Sequence, residues 1–257
     1  MADTIQTAET RRPGAFRAAA VSRSFAGVHA LEAVTLELRR HEVVGLIGPN
    51  GAGKTTLVNV MTGFDRPTSG RVELDGADVT GWSAHRRGRN GLARTFQHSR
   101  AFRSLSVREN VEVAALGCGS SARSARDRAD ELLGVLGLQE SADAPASALA
   151  HGDERRLGVA RALATEPRYV LMDEPAAGLP EAEVPDFAAV VRSVRDDHGA
   201  GVLLIDHNMA LIMEVCDRIV VLDQGRTLAE GTPEEIRTNL DVAAAYLGES
   251  AVQAEGE

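Results

Sequence analysis

The chain has 257 residues, 44% hydrophobic and 25% charged, the composition of a globular protein long enough to bury a full core. Its net charge of −9 argues against general nucleic-acid binding, and no run of eighteen apolar residues offers a membrane span. The opening residues lack the apolar core of a secretory signal, and Cys118 and Cys216 have no metal spacing, which together point to a cytosolic protein with buried thiols.

Residues 1–13 read as a disordered tail and residues 249–257 as an acidic one, both without periodicity. Residues 34–38 alternate apolar and polar, which predicts a half-exposed strand. Val43-Val44-Gly45-Leu46-Ile47 is a short, β-branched apolar run, as a buried strand requires. It ends in Gly48-Pro49-Asn50-Gly51-Ala52-Gly53-Lys54-Thr55-Thr56, two glycines bracketing four residues and followed by Lys and Thr. A helix is expected from Lys54 to Met61, stopping near Gly63. Strand, glycine loop and helix is the context in which this P-loop pattern binds nucleotide phosphates. Backbone N–H groups and the helix start cradle the anion, Lys54 neutralises β- and γ-phosphate charge, and the Thr55 hydroxyl ligates Mg²⁺. Of the 28 basic residues, Lys54 alone is lysine. A compact ammonium can be enclosed by a small loop, whereas arginine's planar fork suits bidentate contacts.

Residues 71–74 predict a strand running into an Asp75-Gly76 turn, so a small antiparallel sheet should lie beside the nucleotide. Residues 107–136 read as helices, amphipathic from 127 to 136. Tyr169-Val170-Leu171-Met172 and Val202-Leu203-Leu204-Ile205 are continuous apolar runs, each preceded by a helix-like segment. This alternation implies a parallel sheet covered by helices on both faces. Asp173 and Glu174 emerge at the carboxyl end of the first run, where ligands gather in open α/β sheets. Asp173 is suited to hold Mg²⁺ through its water shell, and Glu174 to accept a proton from an attacking water.

From about residue 16 to 248 the chain resembles the ATPase subunit of ATP-binding cassette (ABC) transporters. The resemblance implies an α/β fold: a P-loop NTPase (RecA-like) core, a small antiparallel β subdomain and a helical signature subdomain at about residues 98–165, within an ATPase domain spanning 14–248. It implies that Phe25 stacks on adenine. Ala93-Arg94-Thr95-Phe96-Gln97 would be the Q-loop, with Gln97 touching Mg²⁺ and the attacking water. Leu149-Ala150-His151-Gly152-Asp153 stands where the family carries Leu-Ser-Gly-Gly-Gln, acting on the nucleotide of the opposite subunit. Ala176-Ala177-Gly178-Leu179-Pro180 would be the D-loop. Ile205-Asp206-His207-Asn208 would be the switch, with His207 reaching the γ-phosphate. Ala150 and Pro180 depart from the family's serine and aspartate.

Residues 93–97, 173–179 and the ending Ala245-Tyr246-Leu247-Gly248 are similar to the branched-chain amino-acid importer branch. That resemblance implies ATP and Mg²⁺ as cofactors. It also implies a homodimer, or a heterodimer with a paralogous ATPase, at the cytoplasmic face of the membrane. Membrane subunits, and indirectly a substrate-binding protein, would be the partners. A soluble ABC ATPase is the alternative, though such proteins usually carry long coiled coils or duplicated cassettes. A non-hydrolysing regulatory cassette is a further one, against which Glu174 and His207 stand. From His85 to Arg108 there are seven arginines and no acidic residue, either a solvated basic face or, as the resemblance implies for the segment after the Q-loop, a dock for a membrane subunit.

Overall fold

The computed structural model describes residues 14–95 and 101–246. The two expected tails, Phe96, Gln97, Arg100, and the Leu247-Gly248 close of the C-terminal motif lie outside the described residues.

Strands β1 (Ala15–Phe25) and β2 (Val28–Arg39) form a long antiparallel hairpin. Strand β3 (Val43–Ile47) is buried along its whole length and feeds, through the glycine loop, helix α1 (Lys54–Thr62). Gly63 ends α1 in the left-handed conformation, its N–H returning to Val60. Strands β4 (Ser69–Leu74) and β5 (Ala77–Asp78) complete a four-stranded antiparallel sheet in the order β2-β1-β4-β5. The strand expected at residues 34–38 is thus the second half of a longer one. The expected strand at 71–74 and its turn stand where the sequence put them.

Helix α2 (Ala84–Gly88) leads to β6 (Leu92–Thr95). Helices α3 (Val107–Gly117), α4 (Ala122–Val135) and α5 (His151–Leu163) then pack on one another. A capping box, Ser106 with Glu109, fixes the start of α3. The chain returns to the sheet as β7 (Tyr169–Asp173), crosses α6 (Val184–Asp196), and continues as β8 (Gly201–Ile205), α7 (Met209–Val215) and β9 (Arg218–Asp223). Strand β10 (Arg226–Gly231) and helix α8 (Pro233–Thr238) follow. The second sheet runs β10-β9-β3-β8-β7-β6, parallel except for β10. One apolar cluster joins its first face to α1 and the antiparallel sheet. The other joins its second face to α3–α7. Both faces are covered, which is why these strands read as unbroken apolar runs.

The arginine face is corrected here. Arg87 is fully buried and donates to the carbonyls of Val60 (2.8 Å), Met61, Val79 (2.8 Å) and Thr80. Two of those carbonyls belong to the last turn of α1, where a cation complements the helix dipole. Burial pushes the Arg87 pKa down to about 10, opposed by the charge of Asp78, so it stays a cation at neutral pH. Arg94 is half-buried and paired with Asp173. Arg108 is paired with Asp130 and Asp143, and Arg103 lies 3.7 Å from Glu154. Backbone carbonyls and carboxylates draw in the guanidinium groups of Arg87, Arg94 and Arg108, whereas Arg86, Arg89 and Arg103 stay exposed, so only part of the run is a basic surface. Of the cysteines expected to be buried, Cys216 is and Cys118 is exposed. Arg87→Leu should cost about 3 kcal/mol, because four carbonyls lose a charged donor. Denaturant unfolding of the full chain measures it, and a loss below about 1 kcal/mol would mean that water reaches those carbonyls.

Candidate nucleotide-binding and hydrolysis site

Strand β8 lies between β3 and β7, and all three run the same way, so Ile47, Asp173 and Ile205 end at one edge of the sheet. The glycine loop, the two carboxylates and the His207 segment therefore converge there, at the carboxyl edge where open α/β sheets bind ligands.

The loop is held by backbone. Gly53, the N-cap of α1, has φ 103°, and a Cβ there would sit 2.6 Å from the Ala30 carbonyl oxygen. A Cβ on Gly48 would sit 2.1 Å from the Leu222 carbonyl oxygen. Only glycine permits this closeness. Helix α1 starts with no side-chain cap and no acidic residue in its first turn, a start suited to an anion. Lys54 is buried, and its ammonium donates to the carbonyls of Gly48 (2.5 Å) and Pro49 (2.9 Å). Asn50, Gly51 and Thr55 are exposed on the loop's outer side, while Ala52 is buried and Thr56 half-buried.

Asp173 Oδ2 accepts from Arg94 Nη2 at 2.6 Å. Glu174 holds a left-handed φ of 49°, its N–H bonded to Ile205 O at 2.7 Å. Such a conformation costs a non-glycine residue about 1–3 kcal/mol and persists where surrounding contacts enforce it. It brings the Glu174 carboxylate to 3.4 Å from His207 Nε2. Buried Asp206 braces both sides of that pair. One carboxylate oxygen accepts from Ala176 N–H (2.9 Å) and the other from Asn208 N–H (2.8 Å).

The remaining expected residues lie on separate elements. Phe25 is exposed at the end of β1, with the Arg23 guanidinium 4.3 Å from its ring centre. Ala150 is the N-cap of α5, preceded by Leu149, and makes no capping bond. His151 Nε2 lies 3.2 Å from Ala177 O, so the signature segment touches the D-loop of its own chain. A Cβ on Gly152 would meet the Glu183 carboxylate, and Asp153 lies in the first turn of α5. For Mg²⁺, no three His, Cys, Asp or Glu residues among the described ones could hold an ion by themselves. Thr55 and Asp173 nevertheless fit it, because Mg²⁺ takes one or two carboxylates together with phosphate oxygens.

Asp206 and Tyr246 carry roles the sequence reading did not give them. Tyr246 accepts a hydrogen bond from Gly48 N–H at 2.8 Å, pinning the first residue of the glycine loop. The tyrosine was legible only as part of a branch motif, since local pattern says nothing about a partner so far away. Asp206 could have been suspected as a short acceptor just before a helix start.

Strand, phosphate loop, helix and a carboxylate–imidazole pair at one sheet edge define a P-loop nucleotide-binding α/β protein. Residues 31–177 match the ABC transporter family, and residues 226–252 match the family described as branched-chain amino acid ATP-binding cassette transporter. The chain is 43% identical to the high-affinity branched-chain amino acid transport ATP-binding protein BraF of Pseudomonas aeruginosa, covering 88% of this chain and 94% of that protein. It is 45% identical, with the same coverage, to LivG of Escherichia coli K12, which carries the same description. A solved ATP-binding cassette of an ABC transporter in its ADP conformation superposes with a TM-score of 0.83 at 27% identity, covering 93% of this chain and all of that one. This chain belongs to the ABC transporter family and is one of its ATPase subunits.

Tyr246→Phe should leave the Gly48 N–H without its acceptor and weaken ATP binding by about 1 kcal/mol, roughly fivefold in Kd. Titration with a fluorescent ATP analogue reads this. An unchanged Kd alongside a lowered Tm would reduce the hydroxyl to a fold contact.

Proposed function

We propose that the protein is the ATP-hydrolysing subunit of an importer of branched-chain amino acids or a related amino acid or amide. The observation that carries hydrolysis is the Glu174 carboxylate 3.4 Å from His207, beside a loop built around Lys54. The solute class is supported by the names of the 43–45% identical relatives and by the match at residues 226–252.

In this reading residues 48–56 wrap the phosphates of ATP, with Phe25 against the adenine. Lys54 neutralises charge on the β- and γ-phosphates. Glu174 takes a proton from the attacking water, and His207 holds the γ-phosphate. Thr55, Asp173 and Gln97 are the residues that would hold Mg²⁺, which supplies charge stabilisation across the β- and γ-phosphates. Residues 149–153 serve the nucleotide of a second subunit, either another copy or a paralogue. The uncapped start of α5 supports that role, whereas Asp153 and Glu154 in its first turn weaken its pull on an anion. A cleft of about 330 Å³ between β6 and helices α3 and α5 is lined by Arg89, Leu92, Ala114, Cys118 and Arg161. Its mixed basic and apolar wall suits a helix of a membrane subunit. No helix among the described residues is long and apolar enough to cross a membrane itself.

Glu174→Gln should keep ATP binding and slow turnover by roughly 10²–10⁴-fold, the range for a positioned base. ATP-bound dimers should accumulate, which sedimentation detects. Parent-rate hydrolysis would remove Glu174 from the mechanism. Uptake of labelled leucine by cells lacking the native gene should be restored by the parent chain and not by the variant. If the parent chain restores uptake of some other solute only, the solute class is wrong.

Ala150→Ser should have two separable effects. As an N-cap it should stabilise the isolated chain by about 1 kcal/mol, seen in denaturant unfolding. As a γ-phosphate donor across the dimer it should tighten ATP-driven dimerisation of a Glu174→Gln background. Stabilisation without tighter dimers would mean that residue 150 does not face the opposite nucleotide.

A further inference from the structure

Arg94 is the last residue but one of β6, and its guanidinium stands between two parts of the hydrolysis site. Its Nη2 donates to Asp173 Oδ2 at 2.6 Å, and its Nη1 donates to Asn59 Oδ1 at 2.7 Å. Asn59 belongs to α1, the helix that carries Lys54 and Thr55 at its start. The Arg94 side chain is 9% exposed and that of Asp173 16%. A charge pair this sheltered is screened far less by salt and water than a surface one. The ring of exposed Phe64, 5.5 Å from the guanidinium carbon, shields it further.

Asp173 is thereby given a fixed orientation and a compensating positive charge. A divalent cation approaching the same carboxylate meets that charge. Arginine's planar fork can bond Asp173 and Asn59 at once, in fixed directions, which a lysine ammonium reproduces poorly. We propose that Arg94 is a positioning residue for Asp173 that also lowers the site's hold on the divalent cation. The proposal rests on the reading of Asp173 as the metal-facing carboxylate.

The test uses the full chain and a fluorescent ATP analogue. Its Kd is measured in excess Mn²⁺ and again in EDTA, and the EDTA value divided by the Mn²⁺ value reports how much the metal contributes to binding. Arg94→Met removes the charge, and the ratio should rise at least about tenfold, since a unit charge about 6 Å from a divalent ion is worth about 1.4 kcal/mol even at the dielectric constant of water and more at a sheltered site. Arg94→Gln, neutral but able to keep hydrogen bonds, should give the same rise and serves if the methionine variant does not fold. Arg94→Lys keeps the charge and should hold the ratio within about twofold of the parent. It should nonetheless lower kcat, because the fork that orients Asp173 is lost. A scaffold role alone would lower Tm in all three variants and leave the ratio unchanged. An unchanged or lower ratio in the neutral variants, with Asp173→Asn still collapsing the ratio, overturns the role of Arg94 while sparing that of Asp173. An unchanged ratio in Asp173→Asn removes the metal role of Asp173, and the proposal with it.

Discussion

The parallel register of β3, β8 and β7 is the constraint on which the site depends. In the register seen, these neighbours running the same way end close together, so the phosphate loop, Glu174 and the Asp206-His207 pair reach one edge. The middle strand, β8, is buried on every residue, so its register is held by packing on both faces together with its hydrogen-bond ladders to β3 and β7. The same burial that fixes the fold therefore sets the spacing of the chemistry. Strand β9, on the other side of β3, closes on the loop from behind, where the Leu222 carbonyl leaves room at residue 48 only for glycine.

Backbone strain occurs at one of the proposed catalytic groups, as it does at seven other described non-glycine residues elsewhere in the fold. Glu174 adopts a left-handed backbone, and the bond from its N–H to Ile205 O ties it to the neighbouring strand. Asp206 then uses both carboxylate oxygens to hold the turns after Glu174 and after His207. A single buried side chain thus fixes the relative position of a carboxylate and an imidazole, the proposed catalytic pair, whose members are far apart in sequence. Such preorganisation matters because a group that acts on a water must already stand in place when the water arrives.

Charge inside the molecule follows the same logic. Arg87 serves carbonyls at the end of α1, and Arg94 joins that helix to Asp173. Helix α1 is therefore gripped at both ends: by the glycine loop and Lys54 at its start, and by arginines at its finish. Movement of the helix would carry Lys54 and disturb Asp173 together, so nucleotide and carboxylate stay in register with one another.

Much of this was legible in order of residues alone. The run Val43-Val44-Gly45-Leu46-Ile47, the glycine spacing up to Lys54 and the apolar runs before Asp173 and Asp206 state strand, loop, helix and carboxylates directly, because burial on both faces and phosphate binding each demand local residue types. Less was legible for β1, whose eleven residues include small and charged ones and carry three register shifts against β2. Arg87, Arg94 and Arg108 were misread as part of a surface run, since a basic run looks the same whether its side chains point to water or inward. Their fate was decided by carbonyls and carboxylates that only folding brings near. The same holds for Tyr246 on the glycine loop and for Arg94 on Asp173. Sequence determined which chemistry this protein can do, because motifs are local. Tertiary structure decided which distant side chains hold that chemistry in place, because a hydrogen bond depends on distance in space and not on distance along the chain.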